Sequence, residues 1–141
     1  MPSTHQSIEI DAAPEQVLAV ITDFLRYPEF LNHVRSTRVV RQDATSWEVE
    51  FELNLIRPVR YTLRLERQGT EGLTWSLVSG LFRSNDGSWS LEALDGGVRT
   101  RATYTIDLQI GVFLPGSLVN TLVGKELPDM LVAFKKQVEG S

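Results

Sequence analysis

Between Trp47 and Ile110 apolar and polar residues alternate with a period of two, and after Pro115 the period changes to about 3.6. Trp47, Val49, Phe51, Leu53 and Leu55 share one face of a strand, and Glu48, Glu50, Glu52 and Asn54 share the other. Val59, Tyr61, Leu63 and Leu65 are set against Arg60, Thr62, Arg64 and Glu66 in the same way. Leu73, Trp75 and Leu77 continue the pattern, as do Trp89, Leu91 and Ala93, then Val98, Thr100, Ala102, Tyr104, Ile106, Leu108 and Ile110. One buried and one wet face per strand predicts antiparallel pairing. Gln68 to Gly72 and Asp95-Gly96-Gly97 have the composition of hairpin turns.

Beyond Pro115, Val119, Val123, Leu127, Met130, Leu131, Phe134 and Val138 fall on one helical stripe. An amphipathic helix opposite a one-sided sheet buries both apolar faces, so an α+β domain is expected: a curved antiparallel sheet around a long C-terminal helix. Pro128 should kink that helix, because its ring presses on the carbonyl of Gly124. At the other end, Ser7 to Ile10 predicts an opening strand. Pro14 and Glu15 suit a first helical turn, followed by a stripe of Val17, Leu18, Ile21 and Leu25. Tyr27-Pro28 should stop that helix, with a second short turn over Pro28 to Leu31.

The 141 residues fit a single domain spanning 1–141, and 42% hydrophobic content suffices for one core. A net charge of -4 argues against a nucleic-acid partner, which needs clustered Lys and Arg. The chain has no cysteine, which excludes disulfides, thiolate nucleophiles and Cys-based zinc sites and fits a reducing cytoplasm. The N-terminus lacks the basic and apolar regions of a signal peptide, and no apolar run approaches the roughly 20 residues of a spanning helix. A cytoplasmic location is therefore expected.

The two histidines, His5 and His33, have no metal-ligand spacing and no serine motif beside them, so no metal and no cofactor is expected and both histidines read as structural or solvent-facing. Glu48, Glu50 and Glu52 alternate with apolar residues and read as a solvated charged face, with Arg64 expected across from Glu50.

Several stretches together resemble a known superfamily. They are Ile8 to Val17, Asp23 with Tyr27-Pro28-Glu29-Phe30, Asn85-Asp86-Gly87-Ser88-Trp89, Val98 to Tyr104, and Leu114 to Asn120 with Leu127-Pro128. Their order is similar to that of the START and birch-pollen-allergen-like (SRPBCC) superfamily, in its bacterial polyketide cyclase/dehydrase and coenzyme-Q-binding branch. The resemblance covers essentially the whole chain. It implies the helix-grip fold: about seven strands wrapped around the C-terminal helix, with two short helices after the first strand. It also decides one ambiguity. Asn85-Asp86-Gly87 has the composition of a turn, whereas the family places a strand there, with Gly87 allowing a bulge or a close helix approach.

With that strand continuous, alternate loops fall at one end of the sheet, and Ile56, Arg57, Leu81, Phe82, Val112, Phe113 and Leu114 gather there. Apolar residues where loops should be polar suggest a cavity mouth that touches a membrane or a protein transiently. The resemblance implies an apolar ligand (lipid, quinone or polyketide-like) between sheet and helix. The inward-facing candidates for binding it are Phe51, Leu53, Tyr61, Leu63, Trp75, Arg83, Asn85, Trp89, Thr100, Tyr104, Leu127 and Leu131. Arg83 is in phase with Asn85 and Trp89. An Arg at the mouth suits a ligand carboxylate, phosphate or enolate. Two alternatives follow from the family. One is a cyclase or dehydratase using Arg83, Tyr61 and Tyr104 to polarise a substrate; the other is a protein-interaction module like the ribosome-association toxins.

Overall fold

A computed structural model describes residues 3–54, 58–80, 82–110 and 127–140, with the backbone alone at residues 3, 4, 82, 83 and 108–110. Seven strands form one antiparallel sheet: β1 (Ser3–Ile10), β2 (Val34–Gln42), β3 (Ser46–Asn54), β4 (Pro58–Gln68), β5 (Gly72–Gly80), β6 (Phe82–Leu94) and β7 (Arg99–Ile110). The spatial order is β1-β7-β6-β5-β4-β3-β2, a meander from β2 to β7 with β1 added beside β7. The described residues also form three α-helices: α1 (Pro14–Ile21), α2 (Tyr27–Phe30) and the C-terminal α3 (Leu127–Glu139). The sheet curves around α3, as the resemblance implies.

Period-two alternation sets the core. Val49, Phe51, Leu53, Val59, Leu63, Leu65, Leu73, Trp75, Trp89, Leu91, Ala102 and Ile106 are buried on the inner face. Trp47, Tyr61, Leu77 and Tyr104 are partly buried against this core, and two expected members lie outside it. Ala93 and Val98 are exposed, because they flank the Asp95–Gly97 turn, where Asp95, Gly96 and Gly97 all have positive φ and the pleat is lost. Val40 and Val78 are exposed for a related reason: each lies where a ladder shifts register, and the extra residue of a bulge leaves the alternation. On the outer face, Arg64 stands opposite Glu48 rather than Glu50, whose partner in register is Thr62. Glu50 instead approaches Arg38 at 3.8 Å, and Glu52 lies between Arg35 and Arg60 at 3.5 and 3.1 Å.

Helix α1 begins as expected, with Pro14 in its first turn and the Gln16 side chain accepting from the Ala13 N–H at 3.1 Å. It ends at Ile21, earlier than the Tyr27-Pro28 stop predicted from sequence. The Thr22 hydroxyl donates to the Leu18 carbonyl at 2.9 Å, and the chain then turns through a short 3-10 segment, Phe24–Arg26. This exposes Leu25, which was expected on the buried stripe, and buries Phe24 in its place. Thr37 fixes the turn by donating its hydroxyl to the Phe24 carbonyl at 2.7 Å.

Asn85-Asp86-Gly87 lies within β6, paired to β7 over Asn85↔Leu108, Asp86↔Asp107 and Gly87↔Ile106. What approaches Gly87 closely is an indole, not a helix. A Cβ there would lie 2.4 Å from Trp75 Cζ2 and 2.5 Å from the Thr105 carbonyl oxygen. The same indole donates its N–H to Asn85 Oδ1 at 3.2 Å. Asn85 and Gly87 thus hold and accommodate one ring.

Helix α3 buries Met130, Leu131, Phe134 and Val138, with Leu127 half-buried. Pro128 sits in its first described turn. Val119, Val123 and the kink expected between Gly124 and Pro128 involve residues outside those described. Lys135 and Glu139 tie the helix to the end of β1: Lys135 Nζ donates to the Glu9 carbonyl at 2.7 Å, and Glu139 Oε2 accepts from the Asp11 N–H at 2.8 Å.

Gly87→Ala should destabilise the protein by about 1–3 kcal/mol, because the added methyl forces the Trp75 ring off its site. Urea unfolding with an unchanged m value checks this, and a wild-type midpoint would contradict it.

Candidate functional site

Inward-facing residues of β3, β4, β5, β6 and β7 meet the buried face of α3 around an internal space of about 70 Å³. Phe51 and Leu53 line it from β3, Tyr61, Leu63 and Leu65 from β4, Leu73 and Trp75 from β5, Trp89 from β6 and Tyr104 from β7. Met130 and Phe134 close it from α3, and Tyr27, Leu31, His33 and Val34 from the stretch joining α2 to β2. Rings dominate the wall. Phe51 stacks on Tyr61 with centroids 5.4 Å apart at 22°, and Trp89 meets Tyr104 edge-on at 5.0 Å. Phe134 turns its edge toward Tyr27, Phe30 and Trp89 at 5.3, 5.2 and 5.2 Å.

The chain's three tyrosines all stand in this wall. The Tyr27 hydroxyl donates to the Ile21 carbonyl. Burial raises the pKa of Tyr27 well above the ordinary value, with smaller contributions from Tyr104, Tyr61 and Asp23. Burial also raises those of Tyr61 and Tyr104, the latter helped by Tyr61. The three phenols are therefore neutral hydrogen-bonding groups at physiological pH, suited to donating a proton in a hydrogen bond and not to removing one from a substrate.

The structure brings seven sequence-derived candidates to the cavity: Phe51, Leu53, Tyr61, Leu63, Trp75, Trp89 and Tyr104. Others stand behind the wall. Asn85 holds the Trp75 indole, Thr100 donates to the Ala12 carbonyl at 2.7 Å, and Leu131 is buried in the core. Leu127 packs half-buried against the same core. The Arg83 side chain lies outside the described residues. The β6–β7 ladder shifts register between Phe82 and Ser84, on either side of it. The expected mouth also lies outside the described residues at Ile56, Arg57, Leu81, Val112, Phe113 and Leu114 and at the side chain of Phe82. The strand ends that flank these loops, Asn54, Pro58, Gly80, Phe82 and Ile110, do fall at one end of the sheet.

Sequence reasoning missed Met130 and Phe134 as lining, although both were on the expected stripe. It also missed His33, Tyr27 and Leu31. Their signal was the Tyr27-Pro28 turn, which delivers the following residues to the end of α3. No group of His, Asp and Glu among the described residues is arranged to hold a metal ion, and none of the described helices is long and apolar enough to cross a membrane.

Comparison with known proteins agrees with this architecture. No curated protein matches the chain by sequence. Among solved structures, the Zhui aromatase/cyclase of a Streptomyces species superposes with a TM-score of 0.87 at 14% identity, covering 98% of this chain and 93% of that one. A START superfamily protein of Mycobacterium smegmatis gives 0.83 at 16% identity, over 98% and 97% of the two chains. A STAR-related lipid transfer protein of Xanthomonas axonopodis gives 0.81 at 16% identity, over 96% and 85%. At these identities the likeness concerns the fold. Residues 10–135 match the family described as polyketide cyclase / dehydrase and lipid transport, which spans nearly all of the structure above, and the chain belongs to that family.

Proposed function

We propose that the protein binds an apolar small molecule (a lipid, quinone or polyketide-like compound) between the sheet and α3, as a carrier without chemistry of its own. The observation that supports this best is the unfilled, ring-lined space at the centre of the fold, where an apolar guest leaves water for an apolar surface. The space of about 70 Å³ is smaller than a typical ligand pocket of ~300–1,000 Å³, so binding requires side chains to move outward. Met130 is suited to that movement, being unbranched and adaptable. The Tyr104 hydroxyl offers a neutral donor to a carbonyl or hydroxyl on the guest. The family also includes cyclases, but the phenols of Tyr61 and Tyr104 are poor bases when buried, which favours carriage over catalysis.

Native mass spectrometry of protein purified without detergent should show a retained apolar compound, and phenylnaphthylamine should bind with enhanced fluorescence. Leu63→Trp and Leu73→Phe, each enlarging a wall residue, should weaken that binding at least tenfold while circular dichroism stays native. Absence of probe binding to the wild-type protein would falsify the proposal.

The tyrosines give a second test. A phenol whose pKa is raised on folding contributes stability that is present below about pH 10 and lost as pH rises beyond it. Absorbance titration should therefore show no tyrosinate until the protein unfolds cooperatively in alkali, and Tyr104→Phe should reduce the alkaline sensitivity. A tyrosine ionising near pH 10 in the folded protein contradicts the buried placement.

A further inference from the structure

The inner cavity does not end at its apolar wall. Leu31, His33 and Met130 line it, and the same three residues line a groove of about 160 Å³ on the other side. That groove runs between the α2–β2 turn and α3, and its remaining described lining is Phe30, Asn32, Asp129 and Ala133. The two spaces differ in chemistry. The inner one is surrounded mainly by rings and aliphatic side chains, whereas the outer one presents an amide, an imidazole and a carboxylate. The neck between them sits at the same end of the sheet as the apolar loop sequences, since the His33 carbonyl accepts from the Asn54 N–H at 2.7 Å.

The inner space is too small by itself for an ordinary ligand of ~300 Å³ or more, whereas the groove widens outward along α3 into a surface depression of about 480 Å³. A guest that occupies both must pass the neck, where Leu31 and Met130 are buried and Met130 is the adaptable member. Asp129 is exposed, lines the groove and has no ion pair among the described residues. Lys136 lies seven residues, about 10 Å, farther along α3 and lines only the outward continuation of the groove.

Resting on the reading of the cavity as an apolar-ligand site, we propose that the ligand is an amphiphile with a non-anionic polar end. Its apolar body lies among the rings of Phe51, Tyr61 and Trp89. Its polar end passes Leu31, His33 and Met130 and lies between Asn32 and Asp129. A hydroxyl there can donate to the carboxylate and accept from the amide, while a carboxylate end meets a like charge.

Three rod-shaped competitors for bound phenylnaphthylamine test this: biphenyl, para-phenylphenol and biphenyl-para-carboxylate. The phenol should displace the probe at a concentration at least tenfold lower than either of the others. Asp129→Asn should improve the carboxylate several-fold relative to the phenol. Ala133→Trp, which fills the groove without touching the inner wall, should bring the phenol down to the level of biphenyl. Equal displacement by all three, unaffected by Asp129→Asn, overturns the amphiphile inference and leaves the apolar-ligand reading standing, and so does a carboxylate that outcompetes the phenol. Failure of the probe itself to bind removes both.

Discussion

The edge-on packing of Phe134 against Tyr27, Phe30 and Trp89 is the contact on which the arrangement depends. One ring joins α3 to the α2 turn and to the centre of the sheet. Without it the C-terminal helix would keep its ties to β1 through Lys135 and Glu139 but lose its register over the inner face. Edge-to-face rings attract through their quadrupoles while their centroids stay more than 5 Å apart, so such a cluster is cohesive without being space-filling. Phe51 stacked on Tyr61 and Trp75 tilted against Tyr104 extend the ring cluster across four strands. Large, stiff rings cannot collapse into what remains between them, and the cavity is that remainder.

Charge is kept on the opposite surface. Glu52 lies between two arginines on the outer face, Arg99 bridges Glu9 and Asp95, and Arg101 reaches Glu9 and Glu92. These exposed pairs add little stability each, but they hold charged side chains away from an interior whose three phenols are neutral. Such an interior suits a guest that carries oxygen atoms without carrying a charge. It imposes a large desolvation cost on an ionised one.

Most of the fold was legible because burial on one face of an antiparallel strand leaves an unmistakable period in the sequence. Val49, Phe51, Leu63, Trp75 and Trp89 were placed inward by alternation alone. Alternation fails where the backbone departs from the pleat: at the bulges of Val40 and Val78, and at the positive-φ turn beside Ala93 and Val98. Asn85-Asp86-Gly87 shows a different failure. Its composition answers to the Trp75 indole on the neighbouring strand, a tertiary demand that local turn preference cannot anticipate. The family resemblance supplied what local chemistry could not.

The site was less legible than the fold for a geometric reason. A helical stripe names the residues that face a core, yet successive residues on it point 100° apart. Met130 and Phe134 reach the cavity, whereas Leu131 between them packs into the solid core. His33 and Leu31 were signalled only by the Tyr27-Pro28 turn, and their position depends on the α1 helix ending at Ile21 and not at Tyr27.

The central claim is that the rings enclose an apolar space able to accept a guest. Crystals of the protein pressurised with xenon test it directly, because xenon enters dry apolar cavities without needing any polar contact. The account predicts a xenon atom bound among Phe51, Tyr61, Trp89 and Phe134. Diffraction showing no xenon inside the domain, with those side chains in mutual contact across the space, would contradict it.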